Sequence, residues 1–285
     1  MGGEGADCRK YKEWNELLKK CKSEYPLLSG YGLSELFSVV TTDIAHALKD
    51  KEINKNPINV GIPYAGINVG VYDNNGNELK YNERGELYVD SITQMKGYYL
   101  KPEYTKKTIV DGKVHTGDIA SINENGFVCL YGRKSDLLGQ KDGQDIYLFD
   151  ISNKLKENPN VVDAMCIRRE ISNNDNINIV THLVWDASVK EEEKEELLRS
   201  IDSMLKEWLP SNIKITGYAE HKGNLPYSPT TLKIDRKKLA SQLDNYKAIL
   251  GDNIYSVSFK ANNDGKFDVF YDIINNDIKV KKLTK

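Results

Sequence analysis

The chain has 285 residues, 39% of them hydrophobic and 29% charged, which suits one large or two smaller folded domains. Forty Lys and Arg against 42 Asp and Glu leave a net charge of −2, which gives no electrostatic reason to expect nucleic acid or an anionic membrane as partner. No run approaches the roughly 20 apolar residues of a membrane helix, residues 1–5 lack the basic and apolar regions of a secretory signal, and the four Cys and four His are dispersed without a zinc or disulfide pattern. A cytoplasmic protein is expected.

In chain order, residues 9–28 read as a helix running into a short strand, because Tyr11, Trp14, Leu17, Leu18 and Cys21 recur at helical spacing before Pro26 breaks the pattern. Gly30-Tyr31-Gly32-Leu33-Ser34-Glu35 follows as a compact turn. Residues 60–130 change character. Short apolar runs at 69–72, 85–89 and 127–131 alternate with turn signals such as Asp73-Asn74-Asn75-Gly76, the spacing of a small all-β unit.

After Gly132 the pattern becomes α+β. A helix is expected over 145–157, ended by Asn158-Pro159, and strands over 161–167 and 177–185. The acidic block Glu191-Glu192-Glu193-Lys194-Glu195-Glu196 reads as the solvated face of a helix over 189–208, which Pro210 stops. A strand over 213–218 and a final helix over 235–249 complete this unit. The last 35 residues alternate like short strands at 254–259, 266–271 and 277–281, and read as a β-rich tail without an assigned role, either an appendage or a piece of something larger.

Four segments have residue types that fit a nucleotide. The Gly30 segment puts an aromatic ring, a hydroxyl and a carboxylate within five residues, enough to stack a base, bond a phosphate and hold magnesium; as plain structure it is a strand-to-helix turn with Ser34 as cap. His115-Thr116-Gly117-Asp118 offers a carboxylate for two ribose hydroxyls, or a simple turn Asp. Gly132-Arg133-Lys134-Ser135-Asp136 lies at the composition boundary, where Arg133 suits ribose or phosphate and the segment suits a hinge, or serves as a linker with a surface ion pair. In Asn224-Leu225-Pro226 through Lys233-Ile234-Asp235-Arg236-Lys237, Asp235 reads as a helix N-cap, with Ile234 and Leu239 as a hydrophobic staple. Lys233 precedes the cap, placed to set a positive charge against a carboxylate–phosphate anhydride, or is one surface lysine among several. No Walker loop or nucleophile elbow is found.

The order of these motifs, with Gly85-Glu86-Leu87-Tyr88-Val89 and Gly97-Tyr98-Tyr99 between them, resembles the adenylate-forming ligases: acyl-CoA synthetases, peptide-synthetase adenylation domains and luciferases. The resemblance covers about residues 1–245, and Gly2-Gly3-Glu4 resembles the family's adenine-side segment. It implies the end of a large N-terminal domain with a distorted β-barrel at 1–132, then a small α+β mobile lid at 133–250, with residues 251–285 as the tail. It implies that Tyr31 stacks on adenine, Ser34 contacts the α-phosphate, and Glu35 ligates Mg2+. Asp118 would hold the ribose hydroxyls, Arg133 ribose or phosphate, and Lys233 would be the adenylation lysine. Ser135 and Asp136 would be the hinge, and the loop with Lys141 and Gly143 would face the thiol arm.

The implied reaction activates a carboxylic acid with ATP as an acyl-adenylate, releases pyrophosphate, and passes the acyl group to coenzyme A or a carrier-protein phosphopantetheine. Three departures accompany the resemblance. The family's phosphate loop lies upstream of anything in this sequence, Ser135 stands where the family commonly has Asp or Lys, and the lid loop Gly139–Asp145 is one residue longer than the family's, with Asp145 at a usually basic position, which bears on the coenzyme A step. The absent phosphate loop motivates an alternative, a non-catalytic portion that binds nucleotide, a carrier or a missing N-terminal half.

Overall fold

A computed structural model of the chain describes residues 8–27, 30–41, 58–228 and 234–274, which fall into two units, Met1–Ser135 and Asp136–Lys285. The expected strand at 277–281 and the Gly2-Gly3-Glu4 segment lie outside the described residues. No helix among the described residues is long and apolar enough to cross a membrane.

The first unit begins with α1 (Cys8–Lys20). No strand follows it directly. Lys22 adopts a left-handed φ of 57°, Ser23 N–H donates to the Leu18 carbonyl and Lys22 N–H to that of Lys19, so the helix ends in a Schellman turn that reverses the chain. The compact turn expected at residues 30–35 is instead the first arm and corner of a hairpin, β1 (Gly30–Leu33) and β2 (Phe37–Thr41). Ser34 therefore caps no helix.

The strand-rich stretch builds β3 (Ile58–Pro63), β4 (Ile67–Tyr72), β5 (Gly85–Ser91), the short β6 (Ile109–Val110), β7 (Lys113–Ile122) and β8 (Val128–Arg133). They form one eight-stranded sheet in the order β1-β2-β3-β8-β7-β5-β4, with β6 on β7. Its core contains Leu36, Val60, Val71, Leu87, Val89, Val114 and Val128. A short helix, α2 (Pro102–Thr108), starts on a proline at its first position, where the missing N–H costs nothing.

The second unit opens with a hairpin rather than the helix expected from residue 145. β9 (Leu137–Lys141) and β10 (Gln144–Tyr147) are joined by Asp142-Gly143, both at positive φ (51° and 79°), the two-residue turn that matches strand twist. Helix α3 (Leu148–Lys156) follows. The main sheet runs β11 (Val161–Arg169), β12 (Ile177–Trp185), β13 (Ile213–His221), β14 (Tyr246–Leu250), β15 (Asn253–Ala261) and β16 (Phe267–Ile273) in that order. Only β12 and β13 are parallel, linked by the crossover helix α4 (Lys194–Trp208).

Strand β12 is buried at every position after its first, as a strand covered on both faces must be. On one side Ile179, Leu183 and Trp185 pack with Ile151, Leu155, Leu198, Ile201 and Leu205 of the helices. On the other, Val180 joins Ala219, Tyr246, Ala248, Val257 and Phe259.

Two expectations change here. The final helix over 235–249 shortens to α5 (Arg236–Ser241), because residues 246–250 complete β14 between β13 and β15. The strands of the tail are not a separate appendage: β15 and β16 pair onto β14 and supply Val257 and Phe259 to the core. The mixed α/β and α+β class is the one expected.

Candidate functional site

The carboxylate of Asp118 is displayed by an irregularity in β7. Glu86 pairs with Ile119 and Tyr88 with His115, so one residue of β5 faces three of β7, residues 116–118, and the strand bulges there. Gly117 takes a φ of 68°, a conformation that favours glycine. Thr116 ties the bulge down, its hydroxyl donating to the Leu87 carbonyl at 2.8 Å and accepting from the Asp118 N–H at 3.0 Å.

Two groups from distant parts of the sequence converge on this carboxylate. The Tyr31 hydroxyl, from β1, donates to Oδ2 at 2.6 Å. Arg133, directly opposite Asp118 in the β7–β8 register, places Nη1 3.1 Å from Oδ1 and 3.2 Å from the Thr116 carbonyl. Burial, then the adjacent Asp118 charge, pushes the Tyr31 hydroxyl well above its ordinary pKa, so it stays a neutral donor. Tyr31 is only 9% exposed and lies in the core of the sheet. Its hydroxyl, rather than an open ring face, is what reaches Asp118.

Ser34 is exposed in the corner after β1 and Glu35 is half-buried. The Glu35 carboxylate accepts the Tyr98 hydroxyl at 2.5 Å, and its backbone carbonyl accepts Met95 N–H at 2.8 Å. This bond also raises the Tyr98 pKa. Tyr98, Thr116 and Glu86 are contributors that motif reading did not single out, although all three lie inside the quoted motif strings.

In the second unit the expected residues have different surroundings. Asp136, in a 3-10 turn (Lys134–Asp136), is buried and accepts Arg236 Nη1 at 2.8 Å; Ser135 is exposed. The division between the two units falls between these residues. The Lys141 ammonium donates to the Trp208 carbonyl at 2.6 Å and the Glu207 carbonyl at 3.1 Å, at the C-terminus of α4. That is a helix-end cap for a cation, while exposed Gly143 forms the hairpin turn. Asp145 accepts Gln140 Nε2 at 2.7 Å and the Tyr147 hydroxyl at 3.2 Å. Lys233 lies outside the described residues. Asp235 caps α5 by accepting Lys238 N–H at 3.0 Å, with Ile234 packed against the small core that holds Leu239.

The geometry of the first unit is thus a carboxylate held in a bulge between a phenol and a guanidinium, with a second carboxylate beside an exposed hydroxyl. Residues 1–99 match the AMP-binding enzyme family. The expected resemblance to the adenylate-forming ligases is borne out. D-alanine–D-alanyl carrier protein ligase of Streptococcus pyogenes serotype M3 (strain SSI-1) is 28% identical over 225 residues, 77% of this chain and 43% of that relative. The chain therefore spans less than half the length of the curated relatives it matches. In fold, 84% of the chain superposes on 44% of the ATP-bound RpMatB-BxBclM chimera B1, with a TM-score of 0.65 and 22% identity. The O-succinylbenzoate coenzyme A synthetase of Bacillus subtilis, in complex with AMP, matches over 85% of the chain and 45% of its own, with a TM-score of 0.59 and 21% identity.

Proposed function

We propose that the chain is the C-terminal portion of a cytoplasmic AMP-forming ligase, an acid–thiol ligase that activates a carboxylic acid with ATP as an acyl-adenylate and passes the acyl group to a thiol. The observation that carries this is the convergence of Tyr31, Asp118 and Arg133, three motifs separated by up to 102 residues of sequence, on one carboxylate.

Asp118 is the ribose ligand in this reading. A carboxylate has about four acceptor sites, so it can take ribose hydroxyls while Tyr31 and Arg133 hold its plane. Arg133, exposed on its outer side, presents a planar fork to ribose or phosphate. Ser34 reaches the α-phosphate. The Glu35 carboxylate, steadied by Tyr98 on one oxygen, fits Mg2+, which takes one or two carboxylates together with phosphate oxygens. Tyr31 is the adenine-stacking residue of this reading, its hydroxyl bonded to Asp118. Lys233 neutralises charge developing as the acid's carboxylate attacks the α-phosphorus and pyrophosphate leaves.

Residues 133–250 serve as the mobile lid, with Ser135 and Asp136 as hinge, a reading supported by the division of the chain between those two residues. The thiol is coenzyme A or a carrier-protein phosphopantetheine; the names of the curated relatives favour a carrier protein. The loop with Lys141 and Gly143 borders the thiol arm through its backbone turn, since the Lys141 ammonium is committed to α4.

Calorimetric titration of MgATP into the chain tests the site. Binding is expected, weakened at least about tenfold in Asp118→Ala, the loss of one charge-assisted contact. In the same variant adenylate formation, read as pyrophosphate release on addition of D-alanine and of aryl acids, falls with it, and Lys233→Ala abolishes release while leaving ATP affinity within about threefold, under 0.7 kcal/mol. A folded chain that binds no nucleotide rejects the site as built here. It would favour the second reading, a non-catalytic portion that needs the N-terminal half as partner, which rests on the 43% span of the relatives.

A further inference from the structure

Glu86 is among the most buried charged side chains of the first unit, 7% exposed on β5, and nothing in the reaction scheme above uses it. Its two carboxylate oxygens are divided between two segments. Oε1 accepts the Gly117 N–H at 3.1 Å. Oε2 accepts the Lys134 ammonium at 2.7 Å.

The first contact spans the bulge. With one residue of β5 opposite three of β7, the ladder cannot satisfy the amide of Gly117 in the regular way. A buried amide without an acceptor costs about 1–3 kcal/mol, and the Glu86 side chain supplies that acceptor in place of backbone. Gly117 immediately precedes Asp118, so the direction in which the Asp118 carboxylate points depends on the peptide that Glu86 holds. The second contact reaches Lys134, the first residue of the 3-10 turn that ends at Asp136. Lys134 neighbours Arg133, the cationic partner of Asp118. One buried carboxylate therefore contacts both strands that carry the Asp118–Arg133 pair.

We propose that Glu86 is a positioning residue: through Gly117 it sets the bulge that aims Asp118, and through Lys134 it sets the end of β8 that carries Arg133. The proposal rests on the nucleotide reading only for its functional consequence; the mechanical part stands on the two contacts alone. The two halves of the carboxylate separate cleanly in substitution. Glu86→Gln keeps a carbonyl oxygen for Gly117 but removes the charge facing Lys134, and Lys134→Met removes the same ion pair from the other end. Glu86→Ala removes both.

The experiment is amide hydrogen exchange on the full chain, read over residues 114–119 and 130–136, with MgATP affinity measured on the same samples. Glu86→Ala is expected to speed exchange in both segments by about tenfold, the loss of a hydrogen bond to a charged group, and to weaken MgATP binding by a similar factor. Glu86→Gln and Lys134→Met are expected to speed exchange only over 130–136 and to weaken affinity by about threefold, ~0.7 kcal/mol, less than Glu86→Ala does, because the bulge that aims Asp118 keeps its acceptor and only the end of β8 that carries Arg133 is loosened. Unchanged exchange over 114–119 in a folded Glu86→Ala overturns the proposal. So does altered exchange with unaltered affinity, since Glu86 would then be structural only. If Glu86→Ala does not fold, Glu86→Gln decides: acceleration over 114–119, where its acceptor is retained, also overturns it. A wild-type chain that binds no nucleotide defeats the Asp118 site itself and confines Glu86 to holding the bulge, which ends the functional part of the proposal.

Discussion

The two units treat their buried polar groups differently. In the first, buried polar side chains gather at an irregularity: Glu86, Thr116 and Asp118 surround one bulge, and Asp118 faces the exposed Arg133. In the second, they are tied off inside a core covered on both faces. The Tyr218 hydroxyl donates to Asp202 at 3.0 Å, and Lys206 closes the other Asp202 oxygen at 2.6 Å. The imidazoles of His182 and His221 meet at 2.9 Å, with the Tyr246 hydroxyl 3.3 Å from His182 and Arg169 stacked over Phe259 and Phe267. In the first unit the buried Glu86 and Asp118 flank an interruption in strand pairing, whereas in the second Asp202 is carried by a helix and Arg169 by a regular stretch of β11.

The largest expected effect tests the core of the second unit. Leu183, fully buried on β12 between helices and strands, should cost about 2–5 kcal/mol when cut to Ala, read as a lowered urea midpoint. A change below 1 kcal/mol would mean this sheet is less packed than its burial indicates. Next in size is a matched pair of hydroxyl deletions. Tyr218→Phe leaves the 4%-exposed Asp202 without one donor and should cost about 1–3 kcal/mol with MgATP affinity unchanged. Tyr31→Phe should instead lower MgATP affinity severalfold. If both variants shift only stability, the contrast between the units fails.

Acid provides a third test. His182 is fully buried, and burial first, then its neighbours His221 and Arg169, lower its pKa from 6.5 to about 3. The unfolded chain then binds a proton that the folded chain excludes, so stability is complete above pH 6.5 and is lost as pH falls toward 3. Desolvation also lowers the His221 and His115 pKa values, which adds to the same slope. Urea midpoints at neutral and mildly acidic pH should diverge, and His182→Gln should flatten that divergence; an unchanged slope would reject the assignment. The smallest effect is Lys141→Met, expected to cost about 0.3–1 kcal/mol through the lost cap of α4. A large loss of thiol transfer with no loss of stability would instead return Lys141 to the thiol arm.

What the sequence determined by itself is local or carried by motif order. Periodicity located α1 and α4, with Pro210 stopping α4, because helices satisfy their own hydrogen bonds, and the apolar-rich, β-branched run at 177–185 located β12. The order of Tyr31, Asp118 and Arg133 marked the candidate site. Tertiary structure decided the rest. Residues 246–250 follow a short helix and continue its apolar spacing, yet they form β14 because β13 and β15 offer ladders on both sides. Ile146 belongs to a hairpin because Asp142-Gly143 takes two positive φ angles, a signal overridden by helical spacing downstream. Glu86 carried no signal of its own, since its importance arises only where β5 and β7 fall out of register and a side chain must accept the amide hydrogen that backbone cannot reach.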